Sequence, residues 1–201
     1  MTAPPATEQG RATRRRIVSA AAGLIAERGV SGTTLDDVRA ATQSSKSQLY
    51  HYFGDKHGLV HAVIDHQSVA VLRAQRQALE AVEDWSDLER WADAMVAAVD
   101  QRGARGGCPV GTLAAALADT DERFRTALST AFGEWREAIG GALRRLRDAH
   151  LLAADPDLEM LTTMTLAAIQ GGLLLAKTDR DSAQLRAALD GAIGQLRAQA
   201  P

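Results

Sequence analysis

From residue 11 onward, apolar side chains return every three to four positions, in blocks separated by short polar or glycine-bearing gaps. Ile17, Ala20, Ala21, Leu24 and Ile25 share one face at this spacing, which predicts an amphipathic helix. Gly29, just after Arg28, marks its end. Ser31-Gly32-Thr33-Thr34 reads as a turn, with Thr34 capping a short helix from Leu35 to about Ala41. Asp36 and Asp37 occupy the first turn of that helix, where its dipole favours carboxylates. Ser44 or Ser45 caps a third short helix that reaches about Phe53, and Gly54-Asp55 breaks it before a fourth begins near Lys56.

The remainder carries the same period. The fourth helix runs to about Leu79, a fifth spans Trp85 to Gln101, and RGARGG at 102–107 is a loop. Pro109 suits the start of a sixth helix, running to Asp119. Phe124, Leu128, Phe132, Trp135, Ile139, Leu143 and Leu146 stripe a long seventh. After a break containing Pro156, helices are expected over Leu158–Lys177 and from Ala183 to about Gln199. No segment alternates at period two, so the pattern predicts an all-α chain of about nine helices and no strands. Residues 1–10, polar with two prolines, read as a disordered arm.

Composition adds less than distribution does. At 46% hydrophobic but only 4% aromatic, the core must be built mainly from Ala, Leu, Val and Ile. Net charge is −2, which excludes a uniformly basic nucleic-acid binder. Residues 1–60, however, hold eight Lys and Arg against five Asp and Glu, while the rest hold 15 against 20. The basic end is therefore where an anionic partner would dock. The lone cysteine, Cys108, forbids an intrachain disulfide and fits a reducing, cytoplasmic setting. No signal-peptide h-region and no run of about 18 apolar residues is present, so no membrane span is expected.

Two short helices joined by a tight turn read as a helix-turn-helix. Leu35, Val38, Leu49 and Phe53 would face inward, leaving Ser45, Lys46, Ser47, Gln48, Tyr50 and His51 on the outer face and tip of the second helix. That chemistry suits duplex DNA. Helix-start N–H groups attract phosphate, hydroxyls donate to phosphate oxygens, lysine reaches phosphate or guanine, and glutamine can pair with adenine. The segment TTLDDVRAATQSSKSQLYHYFGDKHGL resembles the DNA-binding domain of the TetR family of transcriptional regulators, through Thr34, Ser44, Leu49, Tyr50, Tyr52, Phe53, Lys56 and Leu59. The resemblance implies a helix-turn-helix domain over residues 11–56, with its recognition helix at about 45–53. It implies a larger ligand-binding and dimerisation domain over 57–201, joined to it through the fourth helix. It implies phosphate contacts from Thr34 and Lys56, a helix tip formed by Ser44 to Gln48, and Tyr50 and Tyr52 pressed on the DNA backbone. Gln43 and His51 complete the set of DNA-binding candidates. Thr42 stands where the family turn usually has Gly, and Gln43 where Val is common. A left-handed Thr would cost roughly 1 kcal/mol or more, so the turn is expected to follow another path or to be strained.

In the C-terminal half, GCPVGTLAAALAD resembles the LmrA/YxaF-like subgroup of the same family. The family implies an effector-sensing role here, and the large side chains nominate Trp91, Met95, Cys108, Trp135 and Met164 as pocket residues for a flat, apolar molecule. Each is also an ordinary core residue by type. Cys108 at a helix start admits a stabilised thiolate, although a small buried apolar role fits it better. The last two helices carry stripes of Thr165, Ala168 and Gly172, and of Leu185, Leu189, Ile193 and Leu196. These would pair either with twofold copies in a four-helix dimer interface, as the family implies, or within one subunit. The competing function is an all-α metal-binding protein or enzyme using His57, His61 and Asp65, spaced by four on one helix face. No HExxH, nucleophile or oxyanion turn accompanies that stripe. The reading is a DNA-binding regulator, a homodimeric repressor released from a pseudo-palindromic operator by a small effector, with no enzyme activity, cofactor or metal.

Overall fold

In the computed structural model, which describes residues 5–201, the chain enters α1 (Glu8–Arg28) through Thr7, whose Oγ1 accepts from the Gly10 N–H at 3.1 Å. Glu8 in the first turn pairs with Arg11 at 2.8 Å and Arg15 at 3.0 Å, and these partners hold its carboxyl below the usual carboxylate range. The helix thus takes in Glu8, Gln9 and Gly10, which the sequence assigned to a disordered arm. The first four residues of that arm lie outside the described residues.

Eight further helices follow: α2 (Leu35–Thr42), α3 (Lys46–Phe53), α4 (Lys56–Glu80), α5 (Trp85–Asp100), α6 (Pro109–Leu117), α7 (Glu122–Asp148), α8 (Leu158–Asp179) and α9 (Ala183–Arg197). Among the described residues there is no strand. Side-chain caps set several of the starts. Thr34, Ser45 and Asp84 each close a reciprocal capping box with Asp37, Gln48 and Asp87, and each such cap is worth about 1 kcal/mol.

The chain forms two compact units. One comprises the residues up to Ala70 together with Leu113–Leu128; the other comprises Val71–Thr112 and Ser129–Pro201. The division is therefore not a single cut after residue 56, because the end of α6 and the start of α7 group with the helix-turn-helix. In this first unit α1 packs on α2, and α2 on α3. Ile17, Val18, Ala21 and Ile25 of α1, Val38 of α2, Leu49 and Phe53 of α3, and Leu59, Val63 and Ile64 of α4 are buried. The His57 ring stacks on Phe124, with centroids 5.4 Å apart and planes 7° from parallel.

In the second unit α8 and α5 both pack on α9. Gly172 makes the α8–α9 approach close: a Cβ there would lie 2.9 Å from Ala188 Cβ and 3.0 Å from Leu185 Cα. Arg145 of α7 ties down the end of α4, its Nε donating to the Val82 carbonyl at 3.0 Å and its Nη2 to the Leu79 carbonyl. Arg186 reaches Asp93 at 2.7 Å and Arg197 reaches Glu89 at 2.8 Å, both linking α9 to α5. Although no uninterrupted apolar run occurs, α8 does have the length and mean hydropathy (1.4) of a membrane span. It holds Thr162 and Thr165 among its buried residues and gives one face to α9.

Candidate nucleic-acid interface

The turn of the helix-turn-helix is built from hydroxyls and one left-handed residue. Thr42 is not that residue. It closes α2 and is buried, its Oγ1 donating to the Val38 carbonyl at 2.7 Å. A 2.9 Å hydrogen bond links Thr42 Oγ1 to Ser44 Oγ. The positive φ falls on Gln43 (φ 51°, ψ 28°), so the strain expected at Thr42 sits one residue later. Arg16 of α1 donates to the Thr42 carbonyl and so holds the end of α2. Ser44 is 5% exposed and inside this network, which corrects its assignment to the exposed tip. A buried, bonded hydroxyl has no path to a phosphate.

Ser45 begins the exposed surface. Its Oγ accepts from the Gln48 N–H at 3.1 Å, while Gln48 Oε1 accepts from the Ser45 N–H at 2.9 Å. Gln43, Ser45, Lys46, Ser47, Gln48, Tyr50 and His51 are all exposed, Leu49 and Phe53 are buried beneath them, and Tyr52 and Lys56 are half-buried. Lys46 Nζ lies 5.9 Å from the Tyr50 ring centroid, a cation–π arrangement along one side of α3. His51 meets Tyr52 edge-on at 5.2 Å. Thr34 is exposed at the start of α2, with its Oγ1 occupied by Asp37: it accepts from the Asp37 N–H at 3.1 Å and lies 2.6 Å from Oδ2. These bonds hold the Asp37 carboxyl below its ordinary range.

All six arginines of the first 60 residues have partners inside the chain. Arg11 and Arg15 reach Glu8, Arg14 lies 5.4 Å over Phe53, Arg16 holds Thr42, Arg28 reaches Asp37 at 3.6 Å and Arg39 reaches Asp36 at 3.0 Å. Among the described residues neither Lys46 nor Lys56 forms an ion pair, and Lys46 is the exposed one of the two.

The histidine stripe does not assemble into a metal site. His57 is engaged with Phe124, His61 Nδ1 lies 3.5 Å from Asp65 Oδ2, and no group of three or more candidate ligands occurs among the described residues.

The candidate pocket residues differ in burial. Trp91, Met95, Cys108 and Trp135 are buried, with Trp91 Nε1 donating to Gln75 Oε1 at 2.7 Å. Met164 instead lines a surface groove with Asp157, Met160 and Thr163. A second groove of about 320 Å³ runs along α7 and α8 past Arg136, Gly140, Arg144, Glu159 and Thr162. Neither groove reaches the two tryptophans. Burial pushes the Cys108 thiol up, offset in part by the Gly111 N–H that donates to Sγ at 3.3 Å, so the stabilised-thiolate reading is corrected. Sequence reasoning passed over Gln170. Its amide donates toward the Cys108 thiol and partly counters the effect of burial there, whereas Trp135 Nε1 is buried with no hydrogen-bond partner. The signal was available as a lone amide in the apolar run LAAIQGGLLLA.

The interface stripes are also relocated. Thr165, Gly172, Leu185, Leu189, Ile193 and Leu196 are buried within the chain, and Ala168 is half-buried. Around Gly172 they form the α8–α9 seam. The outward face of α8 instead exposes Met160, Ala167, Gly171, Leu174 and Leu175, and that of α9 exposes Ala187, Gly191 and Gly194.

The nine helices of the described residues, with a capped and exposed second helix of a helix-turn-helix among them, define a helical DNA-binding regulator. Comparison with known proteins makes this specific. The signature described as "Bacterial regulatory proteins, tetR family" matches residues 17–63, and "Transcriptional regulator LmrA/YxaF-like, C-terminal domain" matches residues 85–190. An HTH-type transcriptional regulator in the lacX 3' region of Lactococcus lactis subsp. lactis is 30% identical over 176 residues, covering 85% of this chain and 86% of that one. The HTH-type transcriptional repressor DhaR of Mycobacterium sp. (strain GP1) is 23% identical over 170 residues, covering 84% of each. The crystal structure of regulatory protein TetR from Rhodobacter sphaeroides shares the fold, with a TM-score of 0.80 at 22% identity over 90% of this chain and 97% of that one. The chain belongs to the TetR family of DNA-binding transcriptional regulators, with an LmrA/YxaF-like C-terminal domain. Such proteins regulate transcription and are not enzymes.

Proposed function

We propose that the protein is a homodimeric repressor that binds a pseudo-palindromic operator and is released from it by a small, largely apolar effector. The observation that carries the DNA half of this reading is the outer face of α3, where Ser45, Lys46, Ser47, Tyr50 and His51 stand exposed over a buried Leu49–Phe53 base. Thr34, Gln43, Gln48, Tyr52 and Lys56 flank it, and the phosphate contacts are theirs and those of Lys46 and Tyr50. Ser44 acts behind the surface.

Dimerisation is supported by the apolar outer face of α8, where Met160, Leu174 and Leu175 are each at least half exposed. Isolated apolar residues on a surface are ordinary; a helix-long strip of them is not. A twofold dimer would set two α3 helices roughly one turn of DNA apart, about 35 Å, as a palindrome requires. The relative DhaR is an HTH-type transcriptional repressor. An effector is supported by the buried Trp135 Nε1–H, since an unpaired buried donor costs about 1–3 kcal/mol that a ligand acceptor would recover. To act, the effector must bind one spacing of the two tips better than the other. The site of action is chromosomal DNA in the cytoplasm.

The test is a gel shift on duplexes from the DNA flanking the protein's own gene, at low and high salt. Binding carried by phosphate contacts weakens steeply as salt rises. Lys46→Ala combined with Tyr50→Ala abolishes the shift; normal binding by that variant overturns the reading.

A further inference from the structure

The outer face of α3 has an internal symmetry that sorts its residues by task. At about 100° per residue, Ser47 and His51 point about 160° away from Leu49, one on each side. Leu49 is buried, so these two are the outermost side chains of the helix. Tyr50 and Lys46 lie together on one flank, about 100° and 60° from Leu49, and Gln48 and Tyr52 lie at the matching angles on the other. The 5.9 Å approach of Lys46 Nζ to the Tyr50 ring agrees with a shared flank.

A helix about 10–12 Å across fills a major groove about 12 Å wide. Its outermost residues then meet base edges and its flanks meet the two sugar–phosphate walls. Gln48 has a further constraint, because its Oε1 is taken up by the Ser45 N–H. Two-point recognition of adenine needs that oxygen as acceptor and the amide nitrogen as donor. Gln48 is thus held as a capping residue on a flank.

We propose that Ser47 and His51 are the base-reading pair of this protein, and that the base read by His51 is guanine. This rests on the operator-binding reading above. The imidazole offers an N–H donor, and guanine presents two acceptors side by side, N7 and O6, whereas adenine replaces the second with an amino donor. Lys46, Tyr50, Tyr52 and Gln48 position the helix and add affinity that is indifferent to sequence.

The experiment is selection of bound duplexes from a randomised pool by the full-length protein, followed by sequencing, with variants confirmed as folded by circular dichroism. The wild type is expected to select a two-fold motif containing a guanine in each half-site. His51→Ala should lose about 10-fold or more of the preference at that position while still binding the pool, in line with the usual penalty for one wrong base pair. His51→Gln should shift the preference there toward adenine. Ser47→Ala should flatten one neighbouring position. Gln48→Ala should weaken binding to all sequences about equally and keep the motif. If His51→Ala and His51→Gln keep the wild-type motif, or Gln48→Ala changes it, the assignment is overturned. A wild type that selects no motif instead sinks the operator-binding reading itself.

Discussion

Ser44 illustrates how a single position changes meaning between sequence and structure. It matches a family position at the tip of the recognition helix, yet it is buried and bonded to Thr42, and its neighbour Ser45 is the cap. Two adjacent serines cannot be told apart by type; only the left-handed Gln43 sets which of them turns inward. Ser44→Ala should therefore lower stability by about 1 kcal/mol, read from thermal or urea unfolding, because it leaves a buried threonine hydroxyl with one partner fewer. Affinity of the folded protein for DNA should change less than twofold. A large affinity loss at unchanged stability would return Ser44 to the DNA surface. Thr42 likewise carries no strain of its own, because it remains helical; the left-handed position, the one a glycine would suit, is Gln43.

At the scale of elements the sequence was legible almost throughout. Each helix ends within three residues of its expected bounds, because caps, breakers and the apolar period all act locally. Partners were less legible. Period 3.6 identifies a buried face but not what buries it, which is why the sequence left Leu185, Leu189 and Leu196 open to a second subunit or to the same chain, where α8 and α5 pack on α9. Gly172 decides the matter physically. Gly172→Val should destabilise the protein by about 1–3 kcal/mol through overpacking against Ala188 and the Leu185 backbone. Gly23→Ala, exposed in open space on α1, should raise or leave unchanged the melting temperature, since alanine favours a helix by up to about 1 kcal/mol. Both are checked by denaturant titration. The α7 start yields a pH prediction. Arg123 beside Asp121 holds that carboxyl down to about 2, with a smaller effect of His57. A carboxyl lowered by folding adds stability above its unfolded value, about 3.9, and loses it as pH falls toward 2. Asp121→Asn should flatten the fall in melting temperature across that window. An identical acid limb in the variant would remove Asp121 from the account.

For the whole molecule, the sequence placed the chain in its class because the DNA-binding end depends on a contiguous segment. The effector and dimer assignments depend on which side chains meet across distant segments, and a period of 3.6 marks a buried face without naming what lies against it. The outward face of α8 gives the dimer prediction. Leu174→Glu, at a position 62% exposed, should leave the fold intact by circular dichroism and yield a monomer by light scattering at micromolar concentration. Operator affinity should then fall by at least about 100-fold as the second half-site is lost. A dimer that survives this change would move the interface elsewhere. A last consequence follows from the six arginines engaged within the DNA-binding end. Four of them face carboxylates of the same chain in exposed pairs, which lowers the net positive charge offered to arbitrary stretches of the chromosome. If it acts as proposed, it should leave such stretches more readily than a protein with the same arginines unpaired, and a gene under its control should respond sooner to a change in its amount.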